Sequence, residues 1–561
     1  SKFSKKLMTQ IFSHIIPNVE NWPVANQSRN RAEFIVRLNK FVIDQLQSTH
    51  KNNLHDLISK TIYMENQRIK LTPWKVDPPD EKAYWKSISN ELDGAANRED
   101  KIEVEQELLK RIINRYNEEI VGHFMPKTFL FSRIFLTSFF KRIFNRYFAS
   151  GQWRWGNKKT LQQKIKVKGN VELIRTLFEK GTVVILPTHY SNLDSIMVGY
   201  AIDANVGLPS FSYGAGLNLY NVEIVAYFIN RLGAFRVDRR KKNPIYLECL
   251  KSMTGYSLIE GVNCLFFPGG TRSRSGQTED KLKLGLISSV IEAQRLHLEN
   301  NNEKKIFVVP LNIGYHFVLE ASHLIDQHLQ LIGKDKYKRT KGGGPSFANI
   351  VRFIKDLYTK SSEMYMSFGD PLDVFGNKVD ADGISYDKFN HVVEMKDYFT
   401  IEGELSSNSQ REGVYAKILG ETVVDSYKKF NVILSSNVVA FVAFHLIYEE
   451  YKESGLLHLV NQRNFSFVID INKFEEHVGL LLKHIIGMSA QGAVTISDES
   501  WSDVKQLIHE GLSKLGIYHA VDILKKDKTG QIICQDIRLL YFYHNRLINY
   551  GFEEFMGWEK V

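Results

Sequence analysis

The spacing of apolar residues changes twice along the 561-residue chain. Up to about residue 120 it has the period of amphipathic helices, for example over residues 31–47 and 100–121. From about residue 182 to residue 371, short β-branched runs alternate with helical patterns, and after residue 410 the spacing is mostly helical again. This order predicts an α/β fold, a sheet with helical connections, flanked by mainly helical N-terminal and C-terminal regions.

Changes in composition predict four segments. A helical N-terminal region precedes a segment rich in basic and aromatic residues, and the α/β domain and a helical C-terminal region follow. Residues 402–410 are polar and predict a linker shortly after the third boundary. The expected bounds are residues 1–125, 126–170, 171–395 and 396–561.

One long run without a charged residue covers residues 430–448. Several polar residues interrupt it, so we predict a buried helix rather than a membrane span, capped by Ser436 or Asn437. His445 stands alone on the apolar face of this helix and is expected to be a core residue.

Composition limits the class of protein. With 43% apolar and 12% aromatic residues, the chain is typical of globular proteins. Three widely separated cysteines without metal-ligand spacing favour a reducing compartment and free thiols. The basic start lacks the sustained apolar stretch of a secretory signal, so we expect the chain to stay in the cytoplasm.

The net charge of +10 is unevenly distributed. Residues 127–168 contain basic but no acidic residues, and ten aromatic residues lie among them. Such a segment suits an anionic membrane surface, where cations meet headgroups and rings enter the acyl boundary. Packing against the rest of the protein and binding of single-stranded nucleic acid are the alternatives.

His189 and Asp194 follow the apolar run at residues 183–187, which predicts a buried strand, and precede a predicted helix. They therefore lie at the carboxyl edge of the sheet. The two side chains meet only if His189 is still in the loop while Asp194 is in the first helical turn. The carboxylate would then fix the imidazole tautomer and leave the other nitrogen to accept a proton from a hydroxyl. The alternative is that Asp194 merely caps the helix.

Three further segments carry candidate chemistry. Arg239 and Arg240 follow a predicted strand, and their alternative is a solvated strand end. Residues 265–276 form a strand that runs into a Gly/Ser/Arg loop, a composition suited to binding an anion. Residues 306–314 predict another apolar strand.

Taken in order, these segments resemble the four blocks of the glycerolipid acyltransferase superfamily, the H-x-x-x-x-D enzymes that acylate glycerol-3-phosphate or lysophosphatidate. The blocks correspond to residues 189–194, 233–239, 267–273 and 309–311. One departure is Gly269, which stands where the family usually has Glu. Residues 364–372 and 540–550 are similar to features of the larger glycerol-3-phosphate acyltransferases, although an amphipathic core helix explains the latter stretch equally well.

The resemblance implies a peripheral enzyme at the cytoplasmic face of a membrane with anionic lipids. It would transfer a fatty acyl group from coenzyme A or acyl carrier protein to the sn-1 hydroxyl of glycerol-3-phosphate, in the first step of phospholipid synthesis. No cofactor, metal or nucleic acid is expected. His189 would be the general base and Asp194 its orienting partner. The residues expected to bind the acceptor phosphate are Arg239, Arg272 and Arg274, with Gly270, Thr271 and Ser273 shaping the loop.

Three alternatives remain. The acceptor would be lysophosphatidate or another lysolipid in the first, and the chain would be a catalytically inactive lipid-binding scaffold in the second. The third, an ester hydrolase, lacks a Gly-x-Ser-x-Gly motif to supply its nucleophile.

Overall fold

The computed structural model describes residues 11–50, 53–74, 76–134, 161–192, 194–217, 231–333, 363–462, 465–517, 519 and 521–561. The N-terminal region is helical, and both helices predicted there are present. Apolar residues at helical spacing, such as Phe34, Leu38 and Val42, form its core. The helices are α1 Pro23–Arg29, α2 Arg31–His50, α3 Leu54–Leu71, α4 Glu81–Ala95 and α5 Lys101–Ile120.

The central sheet has seven strands within the described residues, in the order β1-β7-β6-β2-β5-β3-β4. Neighbouring strands are parallel except for the antiparallel pair β6 and β7. The α/β fold is confirmed, and its first strand lies before the boundary expected at residue 171. The strands are β1 Ile165–Lys168, β2 Thr182–Pro187, β3 Ser212–Gly216, β4 Ala234–Val237, β5 Cys264–Leu265, β6 Ile306–Tyr315 and β7 Met364–Phe368.

The two central strands β2 and β6 are apolar at nearly every position because helices cover both faces of the sheet. Val183 and Ile185 pack on one face with Phe178 of the helix before β2. Val184 and Leu186 pack on the opposite face. The surrounding helices are α6 Leu161–Lys164, α7 Val171–Lys180, α8 Asp194–Ala201, α9 Pro244–Ile259, α10 Leu284–Glu299 and α11 Ala321–Gly333.

Short strands follow the central sheet. They are β8 Lys378–Val379, β9 Ser385–Tyr386, β10 Val392–Val393, β11 Thr400–Ile401 and β12 Glu404–Leu405. The linker predicted over residues 402–410 is wrong. Glu402 and Gly403 adopt positive φ and join β11 to β12, and Asn408 caps the next helix. The strands are too short and too exposed to leave an apolar pattern.

The C-terminal region is mainly helical as predicted, but it also contains a three-stranded antiparallel sheet, β14-β17-β16, that was not predicted. Its helices are α12 Ser409–Phe430, α13 Ser435–Tyr451, α14 Leu456–Val460, α15 Ile471–Ala490, α16 Val504–Lys514, α17 Ile537–His544 and α18 Phe552–Met556. Its strands are β13 Val432–Ile433, β14 Phe467–Ile469, β15 Thr495–Ile496, β16 Leu524–Lys526 and β17 Ile532–Cys534.

Helix α13 is the buried helix expected over residues 430–448. The predicted caps are wrong, because the helix begins at Ser435, and Asn437 instead accepts a hydrogen bond from the backbone N–H of Leu434. His445 is a core residue: its ring stacks on Trp558, and its Nε2 lies 3.0 Å from Nε2 of His544. Among the described residues, no helix combines the length and the apolar character needed to cross a membrane.

Candidate active site

The side chains of His189 and Asp194 are in contact, and the condition for this contact is met. His189 lies in the loop after β2, and α8 begins at Asp194. The Nδ1 of His189 is 2.9 Å from Oδ2 of Asp194. The buried carboxylate also accepts hydrogen bonds from the backbone N–H groups of Tyr190 and Ser191 and, through Oδ1, from the hydroxyl of Tyr315. These contacts fix its orientation.

The arrangement leaves one imidazole nitrogen for chemistry. A carboxylate only accepts hydrogen bonds, so Nδ1 of His189 carries the hydrogen and Nε2 has a free lone pair. Nε2 has no hydrogen-bond partner in the part of the chain that the structure describes. The ring stacks on Phe267 with centroids 4.2 Å apart, and the side chain remains 12% exposed. The dyad can therefore accept a proton from a bound hydroxyl.

The glycine-rich loop lies beside the dyad. The backbone N–H of Ser273 donates to the carbonyl of His189 at 2.8 Å, and the Ser273 hydroxyl donates to the carbonyl of Gln277. Gly270 adopts φ +74°, which closes the turn that also contains Thr271. Ser273 and Gly270 shape the loop through its contacts and its backbone turn within the protein.

Two of the three arginines assigned to the phosphate lie close together. Arg239 is exposed and makes no ion pair with any described residue. Desolvation of its guanidinium and the positive charge of Arg272 lower the pKa of Arg239. Arg274 is also exposed, and its charge, together with burial, lowers the pKa of His328 on α11. An anion between Arg239 and Arg272 would relieve their mutual repulsion.

Arg240 is not a solvated strand end. Its guanidinium donates to Asp238 and Asp77 and lies 4.2 Å from the ring centre of Trp74. Asp77 and Trp74 belong to the N-terminal region. They hold the loop after β4 and so fix the backbone from which the neighbouring Arg239 projects.

A family model matches this same part of the chain. Residues 164–314 match the family model described as Acyltransferase. These residues form an acyltransferase domain. The departure at Gly269 does not prevent this match.

Two curated relatives share part of their sequence with the chain. It is 30% identical over 224 residues to the glycerol-3-phosphate acyltransferase of Pseudoalteromonas translucida (strain TAC 125), and 31% over 222 residues to that of Histophilus somni (strain 129Pt). The alignments cover 40% and 39% of this chain and 25% of each relative. The chain thus spans a quarter of the length of the relatives it matches.

One solved structure is also similar. The crystal structure of the 1-acyl-sn-glycerophosphate (LPA) acyltransferase from Thermotoga maritima has 14% sequence identity and a TM-score of 0.24. The match covers 66% of this chain and 95% of that one.

Glu320 follows the matched residues 164–314 and contacts the site, although the motifs did not indicate it. Its buried carboxylate lies 3.3 Å from Nη1 of Arg272 and accepts hydrogen bonds from the hydroxyl of Ser191 and the N–H of Asn192. It joins the dyad loop to the glycine-rich loop. A signal existed, since Glu320 is the only Asp, Glu, Lys or Arg between Lys305 and Asp326.

Lys283 adds a cation that the motifs also missed. Its Nζ lies close to Gly270: a Cβ added at Gly270 would be 2.8 Å from this nitrogen. The side chain is exposed and forms no ion pair with the described residues. Together with Arg239 and Arg272, it is one of three cations near the loop.

The stretch at residues 540–550 is both a core helix and a support of the acyltransferase domain. The amide of Asn545 donates to the carbonyl of Ser275, and Gln277 donates to Asn549. The buried guanidinium of Arg546 lies 3.5 Å from the ring centre of Tyr190, and burial lowers the pKa of Arg546 to about 9. The C-terminal region therefore contacts both loops of the site.

Proposed function

We propose that this chain transfers a fatty acyl group from a thioester to the sn-1 hydroxyl of glycerol-3-phosphate. The observation that carries the proposal is the free Nε2 of His189, held by Asp194, in a domain whose neighbouring loops present Arg239 and Arg272 to an anion. Both curated relatives are named glycerol-3-phosphate acyltransferase, which supports the same acceptor.

The proposed reaction needs one base and no metal. Nε2 of His189 accepts the proton of the acceptor hydroxyl while the oxygen of that hydroxyl attacks the thioester carbonyl carbon. The carbon–sulfur bond then breaks, and the departing thiolate takes the proton from the imidazolium. Asp194 stabilises the imidazolium between these steps. A base placed in this way typically contributes on the order of 10²- to 10⁴-fold in rate.

The proposed acceptor site uses charge and fork geometry. A phosphate dianion between Arg239 and Arg272 would receive paired N–H donors, and Lys283 would add a point charge. The carboxylate of Glu320 holds the guanidinium of Arg272 on one side. This guanidinium is therefore already oriented before the phosphate binds. Coenzyme A or acyl carrier protein as the donor rests on the resemblance alone.

Membrane contact remains part of the proposal, and residues 135–160 of the basic segment lie outside the described residues. Residues 126–134 are helical. On this helix Arg133 pairs with Asp203, while Leu130, Phe131 and Ile134 are exposed. Exposed apolar side chains beside many cations favour a peripheral position on an anionic membrane, which we assign to the cytoplasmic face.

The test is acyl transfer by the purified chain with acyl-coenzyme A or acyl carrier protein as donor. Glycerol-3-phosphate, lysophosphatidate and glycerol are offered in parallel. We expect 1-acylglycerol-3-phosphate as the main product and little transfer to glycerol. A preference for lysophosphatidate would replace the proposed acceptor by a lysolipid. Lipid binding without transfer to any acceptor would favour the scaffold.

A further inference from the structure

Glu279 reaches into the dyad loop from the far end of the glycine-rich loop. Its Oε1 accepts a hydrogen bond from the backbone N–H of His189 at 2.7 Å. Asp194 holds the imidazole of the same residue. His189 is thus fixed at its ring by one carboxylate and at its backbone by a second carboxyl group, which the motifs do not include.

The room for this carboxyl group comes from Gly269. A Cβ at position 269 would lie 3.0 Å from Cγ and 3.3 Å from Oε1 of Glu279. Gly269 does not adopt a positive φ, so its backbone does not require glycine. The constraint is the side chain above it. The side chain of Glu279 therefore occupies the space that a carboxylate side chain at position 269 would need.

Burial disfavours the ionised form of Glu279. Burial, together with the weaker effect of the negative charges of Asp194 and Asp280, raises the pKa of Glu279 to about 8, even though the hydrogen bond from His189 acts to lower it. Tyr427 of α12 lies near the same carboxyl group, and Nζ of Lys283 lies next to the neighbouring Gly270. Oε2 of Glu279 is buried without a hydrogen-bond partner in the part of the chain described.

We propose that Glu279 is a positioning residue of the acyltransferase site, whose carboxyl group enters the space above Gly269 and holds the backbone of His189. The expected effect on the rate rests on the proposed function, whereas the contact between Glu279 and His189 does not depend on it. At neutral pH the group is mainly protonated, so an amide can replace it in shape and as an acceptor. An alanine cannot.

The first test compares three variants in steady-state kinetics at pH 7. Glu279→Ala should lower kcat at least tenfold with the acceptor KM within about twofold, while Glu279→Gln should stay within about threefold of wild type. Adding Gly269→Glu to Glu279→Ala should restore most of the lost kcat, because the new carboxyl group would enter the same space. Asp280→Asn removes the exposed carboxylate of the next residue and should change kcat and the acceptor KM little.

Either of two results would overturn the proposal, provided that thermal unfolding shows the variants to be folded. One is a Glu279→Ala enzyme with wild-type kcat. The other is a double variant no more active than Glu279→Ala, since the space above Gly269 would then not accept a substitute carboxyl group.

The second test needs no enzymatic activity. In chain labelled with ¹⁵N-histidine, the amide resonance of His189, assigned by its loss in His189→Ala, should shift with pH with a midpoint near 8. The shift should vanish in Glu279→Gln and persist in Asp280→Asn. If wild type transfers no acyl group but this titration is present, the proposed function fails and the contact stands. A titration that Glu279→Gln leaves unchanged would contradict the contact.

Discussion

Asp194 is the most constrained side chain of the site. Both of its carboxylate oxygens accept hydrogen bonds, from one imidazole, two backbone N–H groups and one tyrosine hydroxyl. Every partner is a donor, so only a group with acceptors on both sides fits there. The loop geometry and the imidazole tautomer consequently depend on the same residue.

We predict that Asp194→Asn lowers kcat by on the order of 10²- to 10⁴-fold, as expected when a positioned base is lost. The neutral amide has one acceptor oxygen for the N–H donors of His189, Tyr190 and Ser191, and it carries no negative charge to stabilise the imidazolium. The acceptor KM should change little. Steady-state kinetics checks this, and a variant that keeps more than a tenth of wild-type kcat would contradict the role.

Arg239 is a better probe of phosphate binding than Arg272. Truncating Arg272 would leave the buried carboxylate of Glu320 without its cation and would disturb the loop as well as the acceptor site. Arg239 has no such partner among the described residues. Its removal should change binding of the anion with little effect on the fold.

We predict that Arg239→Ala raises the KM for glycerol-3-phosphate with little change in kcat or in the donor KM, because the phosphate is present in both the ground and the transition state. Arg239→Lys should rescue poorly, since an ammonium lacks the planar fork. Glycerol serves as the control acceptor. Equal losses with glycerol and glycerol-3-phosphate would remove Arg239 from the phosphate site.

The glycine-rich loop owes its shape to contacts with elements distant in sequence. Helix α17 and the 3₁₀ helix Asn545–Tyr550 pack directly on residues 273–277. The closest approach is at Gly276, where φ is +88° and a Cβ would lie 2.0 Å from the carbonyl oxygen of Phe542. Any side chain at position 276 would push the loop and the helix apart.

We therefore predict that Gly276→Ala destabilises the chain by about 2–5 kcal/mol, combining backbone strain with overpacking, and lowers acyl transfer further through the displaced loop. Gly551→Ala is the matched control, because Gly551 also has a positive φ but no atom within 4 Å of an added Cβ. It should cost only about 1 kcal/mol. Denaturant unfolding measures both, and equal losses would mean that the contact with Phe542 is unimportant.

These long-range contacts explain what the sequence could and could not predict. The strands β2 and β6 and the helix that begins at Asp194 follow from local pattern, because a buried strand and a helix start leave clear signals. The sequence allowed the His189–Asp194 contact but equally allowed Asp194 merely to cap the helix. Glu320, Glu279 and Lys283 have no local signal strong enough to assign a role, since each acts through residues brought near by the fold. The three-stranded sheet was missed because its strands have only three residues each.

In the molecule as a whole, the acyltransferase domain is held from two sides. The N-terminal region supplies Asp77 and Trp74 to the loop before α9, and the C-terminal region supplies Asn545 and Arg546 to the loops beside the dyad. The basic and aromatic segment follows the N-terminal helices in sequence, and its end includes the first strand of the sheet, Ile165–Lys168. Its charge is the main feature that could direct the whole molecule to a membrane.

We predict that replacing Lys141, Arg142 and Arg146 with Glu releases the chain from anionic vesicles, since each near-surface cation contributes about 1 kcal/mol and the reversal adds repulsion. These three residues lie outside the described residues, so the prediction comes from sequence alone. The same charge change at the exposed Lys525, Lys526 and Lys528 is the control and should have less effect. Unchanged co-sedimentation of the first variant would favour packing against the protein.

The most direct test of the account is the activity of His189→Ala with glycerol-3-phosphate and acyl-coenzyme A or acyl carrier protein, alongside wild type and a thermal unfolding curve for each. The side chain lies in a loop and stacks only on Phe267, so the variant should fold normally. We predict that the wild-type chain is active and that the turnover of the variant is lower by at least about 10²-fold. A folded variant that keeps more than a tenth of wild-type turnover would contradict His189 as the base.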